Sequence, residues 1–184
     1  MRKETPILMS TPMVQAILQG RKKQTRRIIK PAPKFDKRSG FVYLNGYKDV
    51  VDMHNWLENI LPFCPYGKKG DLLWVRETFF YDEEQYIFKA DLDDSDIKWY
   101  KGCWKPSIFM PKKHTRIWLE IIDVRVERLK DITEHAAHEE GINEAPGWGL
   151  CQSGFKRLWQ AINGKNSWKK NPYVWVLEFK PIKK

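Results

Sequence analysis

The sequence predicts an α+β fold: a small mixed β-barrel with helices packed at its ends and peripheral insertions. Three observations carry this. Strand-like runs rich in Ile, Val and Trp recur at Leu72 to Glu77, Arg116 to Val126 and Tyr173 to Phe179. Helical spacing is confined to separated stretches, so the order is helix, strands, insertion, strands, helices, strand, unlike the alternation of a parallel α/β sheet. The 184 residues, 42% hydrophobic and 30% charged, suffice for one domain with a sizeable core. Residues 1–184 therefore read as a single domain with insertions around 31–65 and 81–112.

Ser10-Thr11-Pro12 opens the first helix, with a hydroxyl at the cap and Pro in the first turn. Met13, Ala16 and Ile17 make its apolar face, and Gly20 is its stop. Thr25, Arg27 and Ile29 then share one face of a strand closed by Pro31. Pro31, Pro33 and Gly40 suggest a loop, followed by a short strand at Phe41 to Leu44 and a hairpin turn at Asn45-Gly46. The turn-rich Cys64 to Asp71 feeds the strand Leu72 to Glu77, and Tyr86 to Ala90 makes another. Trp104 to Pro111 is irregular and aromatic. Trp118 lies on one face of the long strand Arg116 to Val126. Thr133 caps a helix running to Glu140, with Gly141 as its stop. Phe155, Leu158, Trp159 and Ile162 recur at core-helix spacing. Trp175, Leu177 and Phe179 share one face of the last strand.

The net charge is +10, of which residues 1–38 carry +9. A basic field so concentrated favours a polyanionic partner such as RNA or DNA. An anionic membrane surface fits less well, because these residues do not line one face of an amphipathic helix. No apolar run approaches the ~20 residues that span a bilayer, and the N-terminus lacks the apolar segment of a secretory signal. Three Cys without a C-x-x-C pair indicate neither a disulfide framework nor a zinc site, and a reducing cytoplasm is expected. Nine Trp imply aromatic side chains in a groove as well as in the core.

The run Gly20 to Arg27 organises the chain. Lys22 and Thr25 lie three apart just after a helix stop, and a lysine beside a hydroxyl is one recipe for an activated nucleophile. A solvated basic turn that touches phosphates reads from the same residues. Glu140, at a helix C-terminus, faces the negative end of the dipole and needs a cation, which Lys22 or Arg27 would supply if the fold joins them. His135 and His138 with Glu139 and Glu140 lack a third ligand of known spacing and read as a polar helix face. The acidic loop of Asp91, Asp93, Asp94 and Asp96 lacks the glycine and distal glutamate of an EF-hand. No metal and no cofactor are assigned. Gly147-Trp148-Gly149 reads as a loop rather than a phosphate cradle.

The string Ile17-Leu18-Gln19-Gly20-Arg21-Lys22-Lys23-Gln24-Thr25-Arg26-Arg27 resembles the N-terminal motif of ASCH domains, which have the PUA-like fold. Gly70 to Glu77, the helix from Ile132 to Gly141 and the closing Val174 to Phe179 match in the family's order. The Cys64-Pro65-Tyr66-Gly67 loop, Trp104 to Arg116 and Asn163 to Trp168 resemble a larger variant met in phage and prophage genomes. The resemblance implies a PUA-like mixed barrel with a cleft lined by the first motif, in a bacterial or phage-infected cytoplasm. It implies RNA, DNA or a modified nucleoside as partner. One ASCH branch hydrolyses N4-acetylcytidine with a lysine, threonine and glutamate, which fall on Lys22, Thr25 and Glu140. Lys22 would act as base, Thr25 as nucleophile or water-positioning group, and Glu140 on the cytosine amine. Arg27 would orient Glu140 or the base. Arg21, Lys23, Arg26, Arg27, Lys112 and Lys113 would contact nucleic acid. Many ASCH domains have Glu where Thr25 stands, and this chain is longer than the compact hydrolase branch. An amidohydrolase of N4-acylated cytosines, a non-catalytic reader of RNA or modified DNA, and a phage accessory protein with a structural role all follow from this pattern.

Overall fold

The structure, a computed structural model, describes residues 2–44, 49–82, 84–143 and 149–184. In chain order its elements are β1 (Glu4–Leu8), α1 (Thr11–Leu18), β2 (Gln24–Ile28), β3 (Lys34–Asp36), β4 (Phe41–Leu44), β5 (Asp49–Asp52), α2 (Trp56–Asn59), β6 (Leu72–Arg76), β7 (Phe79–Tyr81), β8 (Tyr86–Phe88), α3 (Asp94–Trp99), β9 (Trp118–Arg128), α4 (Glu134–Glu139), α5 (Leu150–Asn163) and β10 (Tyr173–Ile182). The Asn45-Gly46 turn and most of the Gly147-Trp148-Gly149 loop lie outside the described residues.

A five-stranded sheet with the order β1-β6-β9-β10-β2 is the frame. Thr25, Trp74, Trp118 and Trp175 all stand in it, as expected. Only β1 and β6 pair in parallel; the other neighbours are antiparallel. The sheet is open rather than a closed barrel, which corrects the expected architecture. The reason lies in α1. It connects the two edge strands and places the buried Met13, Val14, Ala16 and Ile17 in the core, and β1 does not pair with β2. A side chain links the two edges instead: Arg27 Nη2 donates to the Leu8 carbonyl at 2.7 Å.

β10 is buried on both faces. Trp175, Leu177 and Phe179 join the larger core with Ile7, Val14 and Leu119, while Val174 and Val176 join a second core with Phe155 and Trp159 of α5. A register shift at Glu178/Phe179 breaks the β9–β10 ladder, and the Phe179 N–H donates to the Lys23 carbonyl at 2.8 Å. Pro181 lies past the part of β10 that β2 covers, where the missing N–H leaves no ladder bond unmade.

The strands of 31–65 form a separate three-stranded sheet, β3-β4-β5, yet Val42, Leu44, Val51, Trp56 and Ile60 belong to the larger core. The β7–β8 hairpin is held by a backbone bridge from Phe79 to Lys105 and by an arginine at its base. Arg116 gives two 2.9 Å hydrogen bonds to the buried Glu77 carboxylate and one of 2.6 Å to Asp91, and its guanidinium lies 4.2 Å from the Phe88 ring centroid. No helix among the described residues is long and apolar enough to cross a membrane.

Candidate functional site

The site grows from the turn that ends α1. Gly20 takes φ +72°, which stops the helix, and the N–H groups of Arg21 and Lys22 both return to the Ala16 carbonyl. The Lys23 N–H then donates to the Glu139 carbonyl at 2.8 Å, so the turn is tied to the end of α4. That end is set by Thr133, whose hydroxyl accepts from the Ala136 N–H, and by Gly141 at φ +91°. Gln24 at the start of β2 adds bonds to the Ala136 carbonyl and the Glu139 carboxylate, each 3.0 Å.

This crossing drives Lys22 inward. The residue is 1% exposed, and its ammonium donates to Gln24 O at 2.8 Å, Glu140 O at 2.7 Å and Glu140 Oε2 at 2.9 Å. The cation that Glu140 needs at its helix end is therefore Lys22. Burial pulls the Lys22 pKa below 10.5, and the Glu140 carboxylate opposes that pull. The other Glu140 oxygen accepts from Arg26 Nη1 at 3.2 Å, and Arg26 Nη2 reaches Glu127 at 2.8 Å. Arg26 was expected among the phosphate contacts. It is instead 4% exposed, committed to two carboxylates and set 5.9 Å from the Phe155 ring centroid.

Glu140 faces a cavity of about 210 Å³ that wraps the free edge of β2. Thr25, Arg26, Arg27 and Glu140 supply its polar lining. Tyr66, Phe155 and Trp159 supply aromatic walls, and Leu158, Ile162 and Lys30 line it further. Because β2 is an edge strand, residues of both its faces reach one cavity, and among the described residues its outer backbone edge pairs with no strand. The Thr25 hydroxyl has no hydrogen-bond partner among the described residues. Trp159 Nε1 and Arg26 Nε are buried without a partner.

The structure thus joins Lys22 to Glu140 and places Glu140 and Thr25 in one cavity. Lys22 itself is not part of the lining, and among the described residues it makes no bond to Thr25. With every ammonium proton given to an acceptor, Lys22 acts as a fixed cation that orients Glu140. Arg21 binds the Gly141 carbonyl and Gln19, and Lys23 is exposed. Lys112 pairs with Glu4 on β1, the opposite edge of the sheet, at 2.6 Å; neither it nor Lys113 lines the cavity. His135 lies 3.5 Å from Glu139, and no group of His, Cys, Asp and Glu among the described residues is arranged to hold a metal. Sequence reasoning missed Tyr66 and Lys30 as lining residues. It took Ile162 for core, whereas Ile162 is 54% exposed beside the cavity.

Glu127 braces Arg26 from outside. Burial pushes its carboxyl up, but the Arg125 hydrogen bond and the Arg26 charge outweigh this and hold it below 4.5. A carboxylate lowered in the native state leaves the unfolded chain binding more protons as acid is added. Its stabilisation is therefore complete above pH 4.5 and is lost as pH falls through the native value. Glu127→Gln should flatten this acid limb, as read from urea unfolding between about pH 3 and 7.

The fold and the site together define an α+β domain with an open mixed sheet and an edge-strand pocket. No family model matches the chain, and no curated protein matches it. Among solved structures, the crystal structure of hypothetical protein PH0355 is similar to it, with a TM-score of 0.43 and 14% sequence identity over 97% of this chain and 99% of that one.

Proposed function

We propose that this protein is an ASCH-type, PUA-like domain whose β2-edge pocket binds a nucleobase carrying an exocyclic amine, cytosine or a derivative of it. One observation carries the reading: a carboxylate held from both sides, by Lys22 and Arg26, facing an aromatic-walled cavity. A carboxylate so fixed keeps lone pairs for an amine N–H of the base, as acidic side chains do for the cytosine N4 amine. The Thr25 hydroxyl can donate to a ring nitrogen or the O2 carbonyl. A base seated there would pack against the Phe155, Trp159 and Tyr66 side chains that line the cavity, and base–aromatic stacking is worth about 1–3 kcal/mol per base. The motif resemblance supports the same ligand class.

A hydrolytic reading rests on a second observation, the unpartnered Thr25 hydroxyl in the same cavity as Glu140. There the Thr25 oxygen would add to the acyl carbonyl of an N4-acylcytosine and its proton would pass to Glu140. The C–N bond would break as Glu140 protonates the leaving nitrogen, and water would cleave the ester to free acid. Lys22 would hold Glu140 in place throughout.

The test is calorimetric titration of cytidine and N4-acetylcytidine into wild type and Glu140→Gln, with chromatography of the mixtures for cytidine and acetate. Binding by wild type and a loss of roughly tenfold or more in Glu140→Gln is expected, the effect of removing a charged hydrogen-bond acceptor. Release of acetate by wild type, abolished in Thr25→Ala, would favour the hydrolytic reading. Absence of binding for both ligands would remove the nucleobase reading.

A further inference from the structure

Arg27 has an environment that base binding alone does not explain. It is half-buried in β2, and its Nη2 is anchored to the Leu8 carbonyl at 2.7 Å, with Met9 Sδ at 3.6 Å. Among the described residues no carboxylate lies within ion-pair distance, and its Nε and Nη1 have no acceptor. Glu140, in the same cavity, acts on Arg27 only from beyond ion-pair distance and is itself held by Lys22 and Arg26. A cation taken partly out of water without a paired carboxylate is unfavourable unless a ligand supplies an anion. Tyr66 is next to it, and the phenol likewise has no partner among the described residues.

Arg27 and Tyr66 also form a divide. Both line the base-sized cavity on one side and a second cavity of about 330 Å³ on the other. The second cavity has an apolar wall of Pro6, Ile7, Leu8 and Ile108, of which Leu8 is 43% and Ile108 55% exposed. Arg76 adds a second cation there. Its guanidinium lies 5.3 Å from the Trp74 ring centroid, it donates to the Ile108 carbonyl, and its Nε is buried without a partner. The order along the surface is aromatic cavity, unpaired arginine, then apolar cleft with another arginine. That order matches base, phosphate, base.

Resting on the proposed base-binding reading, we infer that the Arg27–Tyr66 divide is a phosphate subsite and that the two cavities take successive nucleotides of one strand. The first base sits against Phe155 and Trp159, the phosphodiester on Arg27 and the Tyr66 hydroxyl, and the next base on the apolar wall under Arg76. The ligand class is then an oligonucleotide rather than a free nucleoside.

The experiment compares affinities for cytidine, the dinucleotides CpA and ApC, and the same dinucleotides with an uncharged methylphosphonate linkage. Wild type should bind the better dinucleotide about ten- to hundredfold tighter than cytidine, the range of one charge-assisted contact. The methylphosphonate should forfeit most of that gain. In Arg27→Gln the dinucleotide-to-cytidine ratio should fall close to unity. Equal binding of cytidine and both dinucleotides by wild type would overturn the subsite while leaving the base pocket standing. A methylphosphonate as tight as the natural dinucleotide would overturn it too, with no substitution needed. Failure of cytidine and both dinucleotides to bind would overturn the base pocket and the subsite together.

Discussion

Lys22→Met is expected to lower the unfolding free energy by about 3–5 kcal/mol, the range for breaking one side of a buried ion pair. The change strips the Gln24 and Glu140 carbonyls of a donor and takes a cation from the Glu140 carboxylate, all in a place where water cannot substitute. The adjacent Lys23 is exposed, and Lys23→Met should stay within about 0.5 kcal/mol of wild type. Urea unfolding of the two variants side by side reads the contrast. Similar values for both would mean that Lys22 is not the buried cation of the site.

Gly141→Ala should be nearly as damaging, by about 2–5 kcal/mol. Two terms add: roughly 1–2 kcal/mol for an L-residue in the left-handed region and about 1–3 kcal/mol for overpacking. Gly141 has φ +91°, and a Cβ there would come 2.8 Å from Ala16 Cβ and 3.1 Å from Lys22 Cβ. Gly20 gives the internal control. Its φ is +72°, but a Cβ would meet nothing within 4 Å, so Gly20→Ala should show the backbone term alone. Thermal or urea melts of both variants check this, and equal losses would contradict the close packing of α4 against α1. Because Gly141 touches Lys22, its substitution should also weaken ligand binding, whereas Gly20→Ala should affect it less.

Local chemistry was legible in the sequence wherever short-range rules act alone. Ser10-Thr11-Pro12, Gly20, Thr133 and Gly141 mark helix ends because capping and positive φ depend on few residues. Even there, the Ser10 hydroxyl makes no capping bond. The β1 strand went unread because Pro6 sits in its middle, which only an edge position tolerates. Closure of the sheet into a barrel was expected, but whether edges meet depends on what α1 places between them, and strand periodicity carries no information on that.

The site was legible in part. Thr25 and Glu140 line one cavity, Lys22 binds Glu140 without lining it, and the need of Glu140 for a cation followed from its helix end. The role of Lys22 did not follow. Within Arg21-Lys22-Lys23 nothing local separates the buried lysine from its exposed neighbours, since the burial arises where α1 and α4 cross. Arg26 was misread for the same reason, because Glu127 and Glu140 are distant in sequence. Phe155 and Trp159 showed their apolar helical face, but that one side of it borders a cavity is a property of the β2 edge.

The most direct measurement is a crystal structure of the protein soaked with cytidine. The ring should lie in the β2-edge cavity among Phe155, Trp159 and Tyr66, with its amine within hydrogen-bond distance of the Glu140 carboxylate and Lys22 still bound to that carboxylate. Cytidine bound elsewhere with the cavity empty, or seated in the cavity with its amine turned away from Glu140, would contradict the account.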